Sequence, residues 1–251
     1  PEYVYEKGLK AVPTFGVIPC TATFGTKPYS EQPMMPTKKI EGLRSDGTLH
    51  MDHKLVIHKP IPKEGKLHLE KVISAVYDRG EGKGAKINVD IIAKDEAGDP
   101  VFTNTMGYLN RWAGGFGGPK VPHSTVVIPE READYEIKDA YPENAPLLYR
   151  LTGDTYPLHA DPAFAKKAGF DRPIVHGLCS LGYACRMMID ALFPGEPERM
   201  VSIENQFRAV ALPGDHFTLH VWKTGENEAL FRMVKDSDGK AILDYGRMTW
   251  K

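Results

Sequence analysis

The 251-residue sequence predicts an α+β fold in which one unit is built twice. Three observations predict it. On both sides of residues 114–146 short stretches alternate apolar and polar residues, the period of half-buried antiparallel strands. One stretch of the second half carries apolar residues at helical spacing. The two halves also echo each other, which favours duplication over two unrelated domains.

The strands follow from the alternation. Ile87, Val89 and Ile91 alternate with Lys86, Asn88 and Asp90, and Phe217, Leu219 and Val221 alternate with Thr218, His220 and Trp222. Further strands are expected over 66–77, 100–112, 201–208, 229–235 and 240–249. The helix follows from Leu178, Leu181, Cys185, Met188 and Leu192, whose spacings of three and four make one apolar stripe for the strands to wrap. A shorter helix is expected over 162–168, with Asp161 as its N-cap, Pro162 as its first residue and Gly169 as its stop. The echo pairs residues 93–112 with 234–251, each running from a Lys-Asp turn through a Gly into a strand that ends near Trp. It also pairs PIPKEGKLHLEKV with ALPGDHFTLHVWK. The stretch 114–146 is rich in Gly, Pro and charge and reads as a connector. The expected organisation is an N-terminal unit over 1–113, a connector over 114–146 and a C-terminal unit over 147–251.

Composition narrows the function. With 32 basic and 33 acidic residues the formal net charge is -1, which gives no electrostatic case for nucleic acid or an anionic membrane surface. No apolar run approaches the length of a membrane span. The opening PEYVYEKGLK is polar and charged, unlike a signal peptide, and RMTWK is no peroxisomal address. Pro1 without a preceding Met suggests a processed or incomplete N-terminus. The three cysteines lack CxxC spacing, which argues against a disulfide framework or a zinc site. Cys179 and Cys185 fall in the apolar helical stretch and read as buried thiols. A reducing compartment such as the cytoplasm is expected.

The chemistry is concentrated in residues 149–188. Asp154 and His159 stand five residues apart with Pro157 between them. On a regular strand they would face opposite sides, but a turn over 153–157 can bring both side chains to one point. Taken singly, the residues also suit an Asp that helps a turn and a His that satisfies a core hydrogen bond. Gly177 stands at the start of the apolar helix, where a backbone N–H can face developing negative charge.

LTGDTYPLH followed by DPAFAKKAGFDRPIVHGLCSLG resembles the signature of MaoC-like (R)-specific enoyl-CoA hydratases, or hydratase 2. VYEKGLKAVPTFGVIP, LHMDHKLVIHKPIPKEG, FTNTMGYLNRWAGGFGG and IENQFRAVALPGD resemble segments of its longer, two-unit members. The resemblance covers nearly the whole chain. It implies a double hot dog, in which curved antiparallel sheets wrap a long helix, and hydration of trans-2-enoyl-CoA to (3R)-3-hydroxyacyl-CoA without metal or redox cofactor. It implies that Asp154 and His159 hold and activate water and that the Gly177 N–H serves the thioester oxygen. Substrate-binding roles are implied for Thr155, Tyr156, Pro157 and Leu158 of the loop, for Phe207, and for His50, Met51 and Arg79 of the first half, the last as a phosphate partner. Two-unit members also suggest a homodimer, a further N-terminal segment before the VYE sequence, and peroxisomal placement only within a larger or separately targeted protein.

Two positions depart from the family pattern. Tyr156 stands where Asn is usual, and Met51 where Gly is usual beside the His. Both add bulk near the substrate and suggest an atypical acyl group. Two other functions stay open at this point: a hydratase or dehydratase of another thioester, and a non-catalytic acyl-CoA-binding partner.

Overall fold

The computed structural model describes residues 2–22 and 48–251. The first half supplies β1 (Thr48–Ile57), β2 (His68–Asp78), β3 (Ala85–Lys94) and β4 (Pro100–Asn110). The second supplies β5 (Tyr135–Ala140), β6 (Met200–Phe207), β7 (His216–Gly225), β8 (Glu228–Lys235) and β9 (Ala241–Trp250). All nine belong to one antiparallel sheet in the order β2-β3-β4-β1-β6-β9-β8-β7-β5.

The duplication is visible in this order. Outward from the β1–β6 joint stand β4, β3 and β2 on one side and β9, β8 and β7 on the other. The strands that follow the two Lys-Asp turns, β4 and β9, therefore take equivalent places, as do β2 and β7 of the second echo. The joint pairs Asp52 through Val56 with Gln206 through Ser202, and it buries Leu55 and Ile203 completely. The two sheets expected of a double hot dog are thus fused edge to edge.

Two strands escape the alternation rule. In β1 the register shifts between His50 and Asp52, so Met51 is an extra residue and the period of two breaks. The connector reading of 114–146 is corrected at its end, where the polar stretch YEIKDA forms β5 and pairs with β7 at the sheet edge. An edge strand needs few apolar residues, so it carries little periodic signal.

Helix α4 (Gly177–Leu192) lies against β6, β7 and β9 and buries Leu178, Leu181, Cys185 and Met188. In the first half a 3-10 turn (Pro13–Val17) touches both the sheet and α4 and runs into α1 (Ile18–Ala22), whose Cys20 meets Asn104 of β4. A five-residue helix, α2 (Ala145–Tyr149), leads into the loop of interest. Beyond that loop stands α3 (Pro162–Lys167), capped as expected: Asp161 Oδ1 accepts from the N–H groups of Ala163 at 2.8 Å and Phe164 at 3.2 Å. All three cysteines are free and buried. Among the described residues no helix is long and apolar enough to cross a membrane.

Candidate active site

The loop between α2 and α3 is rigid for local reasons. A 3-10 turn (Arg150–Thr152) ends at Gly153, whose φ of 124° is closed to most side chains. Asp154 Oδ1 then accepts the N–H of Tyr156 at 3.2 Å, and a second 3-10 turn (Pro157–His159) is started by a proline. Arg150 reaches across the loop to the Thr155 carbonyl at 3.4 Å.

Side chains of the loop divide between two environments. Tyr156 and Leu158 join a small apolar cluster with Phe164, Ala165, Phe170 and Ile174, and the Tyr156 ring meets Phe164 edge-on at 5.5 Å. Asp154 and His159 belong instead to a polar cluster at the start of α4. His159 Nδ1 lies 2.8 Å from the Ile174 carbonyl. A carbonyl only accepts, so Nδ1 carries the proton and the neutral ring presents Nε2 as a lone pair. Burial pushes the His159 pKa down, partly opposed by the Ile174 hydrogen bond and the Asp154 charge. No direct hydrogen bond joins Asp154 to His159 among the described residues; they interact through space.

His176, which the sequence reading passed over, completes the cluster. Its ring stacks on His159 with centroids 3.7 Å apart, and Nε2 reaches the Asp154 carbonyl at 3.4 Å. Tyr149 packs against His176 at 4.7 Å. The phenols of Tyr149 and of Tyr108 on β4 are raised above the ordinary tyrosine range, first by burial and then by the charge of Asp154. The signal for His176 was its place one residue before Gly177. Tyr108 carried none, because it reaches the site from the first half of the chain.

Gly177 opens α4, and its N–H belongs to the first turn, which has no acceptor within the helix. A Cβ there would lie 2.8 Å from Phe207 Cδ1, so the aromatic ring rests on the glycine backbone. His50 stands 4.8 Å from Phe207 and stacks on Tyr108 at 5.1 Å. Of the residues expected at the substrate, His50, Phe207, Gly177, His159 and Asp154 thus form one connected group. Met51 is the bulge residue beside His50. Arg79 stays exposed in the turn after β2, and no described contact links it to the loop. The turn itself is clasped by Asp78, whose carboxylate accepts N–H groups from Gly80, Gly115 and Gly117 at 2.7 to 2.8 Å.

A cavity of about 480 Å³ opens beside this cluster. Tyr149, Leu178 and Cys179 line it on the cluster side, and Val12, Phe15 and Ile18 line it across from α4. Its walls are mostly apolar, the character of a site for a hydrocarbon chain. Among the described residues no group of three or more His, Cys, Asp or Glu is placed to hold a metal ion.

Four histidines, two of them buried and two half-buried, give the fold a pH dependence. Burial is the largest cause in each: it pushes His50 down to about 4, His53 to about 3, His176 to about 2, and His159 below the ordinary value of 6.5. Between those values and 6.5 the unfolded chain binds protons that the folded chain refuses. Stability therefore falls as pH falls, by about 1.4 kcal/mol per pH unit for each ring. Urea unfolding at pH 7.5 and pH 5 should show a clear loss at the lower pH; equal stability would contradict the neutral, buried placement.

Both halves of the chain resemble known proteins. Residues 124–243 match a family model described as a MaoC like domain, and residues 1–111 match the MFE-2 hydratase 2 N-terminal domain. A probable enoyl-CoA hydratase 2 of Dictyostelium discoideum is 33% identical over 255 residues, covering 98% of this chain and 83% of the relative. The peroxisomal multifunctional enzyme type 2 of Mus musculus is 31% identical over 96% of this chain, which spans 32% of that longer protein. The crystal structure of a MaoC-like dehydratase from Phytophthora capsici superposes with a TM-score of 0.85 at 28% identity, covering 99% of this chain and 86% of that one. With both halves matched and the acid, imidazole and glycine gathered at one helix start, the chain belongs to the MaoC-like hydratase 2 family in its two-unit form.

Proposed function

We propose that this chain hydrates trans-2-enoyl-CoA to (3R)-3-hydroxyacyl-CoA and catalyses the reverse dehydration, as a step of β-oxidation. One observation carries the reading. His159 is a neutral imidazole with Nδ1 occupied by the Ile174 carbonyl, so that Nε2 is the free base, and it stands within charge range of Asp154 beside the Gly177 N–H. The relatives named as enoyl-CoA hydratases support the substrate class.

The chemistry follows from those atoms. Conjugation with the thioester makes the β-carbon electrophilic. The oxygen of a water attacks it, and the π electrons move toward the α-carbon and the thioester oxygen. The Gly177 N–H meets the charge on that oxygen at the positive end of α4. The Asp154–His159 pair takes the water's proton and returns a proton to the α-carbon, so no proton is gained or lost overall. The transfers are assigned to the pair and not to either group alone. Such a proton relay needs neither a metal nor a redox cofactor.

The apolar cavity between α4 and the N-terminal segment would hold the acyl tail, with the first half of the chain supplying one wall. Arg79 would meet a CoA phosphate from the exposed turn that Asp78 clasps. A homodimer fits the family form, and three buried free thiols fit a reducing compartment such as the cytoplasm. The test is hydration of crotonyl-CoA and longer trans-2-enoyl-CoAs, followed through loss of the conjugated thioester absorbance. Turnover by the parent chain, abolished in Asp154→Ala and His159→Ala, supports the reading. Turnover indifferent to both substitutions would refute it.

Tyr156 would bear on selectivity through position rather than direct contact. Its ring braces the loop against Phe164 and lies 6.0 Å from His159. Tyr156→Asn should loosen this brace and change the ratio of kcat/KM between short and long or branched enoyl-CoAs by several-fold. An unchanged ratio would show that this departure from the family pattern does not set the acyl preference.

A further inference from the structure

Helix α4 borders the apolar cavity along one face. Leu178, Cys179, Gly182, Tyr183 and Arg186 all line it, at the spacing of residues that share one side of a helix. Two contacts orient the cavity. At one end Tyr149 packs against His176 of the catalytic cluster. At the other stands Lys10, whose ammonium donates to the Gly195 carbonyl beyond the C-terminal end of α4. The cavity therefore leads away from the Gly177 N–H along α4, with Gly182 in its wall between the two ends.

Neither conformation nor packing asks for a glycine at this place. Gly182 stands inside the 16-residue α4, and its φ is not positive. A Cβ built on it meets no atom within 4 Å among the described residues. Two other glycines of the second half differ. A Cβ at Gly177 would stand 2.8 Å from Phe207, and one at Gly246 would stand 2.6 Å from Phe231. Close packing requires those two. It does not require Gly182, and a glycine inside a helix is less stable there than an alanine. What the missing side chain does provide is width in the cavity wall.

We propose that Gly182 sets the length of acyl tail that the site accepts, by leaving a gap in the helix wall past which long tails run. The proposal rests on the hydratase reading, with the cavity as the tail site, and names the residue that opens that site to long tails. Distance along the helix gives the threshold. Gly182 lies five residues after Gly177, which is about 7.5 Å further along the axis. A zigzag hydrocarbon with bonds of about 1.5 Å covers that span in roughly six bonds. A crotonyl group stops short of Gly182, and a trans-2-dodecenoyl tail runs past it.

The test uses the full chain and the series Gly182→Ala, Gly182→Leu and Gly182→Phe. For Gly182→Leu the ratio of kcat/KM for trans-2-dodecenoyl-CoA to that for crotonyl-CoA should fall by on the order of tenfold or more, since even one methylene displaced from an apolar pocket is felt at that level. Gly182→Phe should lower the ratio further. Gly182→Ala should lower it least and should raise the thermal midpoint. Saturated acyl-CoAs, which cannot be hydrated, give a readout free of the chemistry: the Kd of lauroyl-CoA should rise in Gly182→Leu by a similar factor, and that of butyryl-CoA by much less. An unchanged ratio in folded Leu and Phe variants would overturn the proposal. So would an equal loss at every tail length with a lowered thermal midpoint, because the space beside Gly182 would then belong to the protein's own chain. If the parent hydrates none of these substrates, the hydratase reading fails by itself; lauroyl-CoA binding that Gly182→Leu leaves unchanged would overturn this proposal as well.

Discussion

Asp154→Asn is expected to lower kcat for enoyl-CoA hydration by on the order of a thousandfold, with KM little changed. The replacement keeps an oxygen for the Tyr156 N–H, which Asp154 accepts at 3.2 Å, so the loop should hold its shape. What it removes is the charge that Asp154 exerts on His159 and a place for a travelling proton. His159→Gln should cost a similar factor by removing the Nε2 base. The double variant should be about as slow as the slower single one, because the two groups act as a unit. Steady-state kinetics beside thermal unfolding would check this. A fall of less than about tenfold in either folded single variant would remove that residue from the chemistry.

The second large effect is expected at Gly177. An alanine Cβ would stand 2.8 Å from Phe207 Cδ1 and 2.9 Å from Cε1, closer than real contacts allow. The ring cannot simply retreat, because His50 packs against it at 4.8 Å. Either the start of α4 moves or the thioester loses its close approach to the N–H. Gly177→Ala should therefore reduce kcat/KM by about ten- to a hundredfold, somewhat less than outright loss of an oxyanion donor. Helix propensity alone would favour the alanine, so a stable but slow variant is the expected result. Adding Phe207→Leu should recover part of the rate, since it removes the clash; additive losses in the double-mutant cycle would deny the coupling.

Much of this architecture was legible in the sequence wherever a side chain's burial follows from its own element. The stripe from Leu178 to Met188 faces the sheet, and the alternation from Ile87 to Ile91 places those three residues in the core. Asp161 caps α3 through its own neighbours. Legibility failed where partners lie far apart in the chain. The inward turn of both His50 and His53 depends on a bulge that local pattern does not announce. Asn205 becomes a neighbour of His53 only through the β1–β6 joint. The tautomer of His159 is set by a carbonyl fifteen residues away. The Asp154–His159 spacing was visible from the start, but the stacked His176 that buries the imidazole emerged only from the folded loop.

The most direct measurement is the configuration of the alcohol formed from a trans-2-enoyl-CoA by the purified chain, read by chiral chromatography after hydrolysis of the thioester. A (3R)-3-hydroxy product from the parent, with none from His159→Gln, is the expected result. A (3S) product would contradict the (3R) outcome, and tight acyl-CoA binding with no hydration at all would contradict the hydratase reading and leave the cluster at the start of α4 as a binding site only.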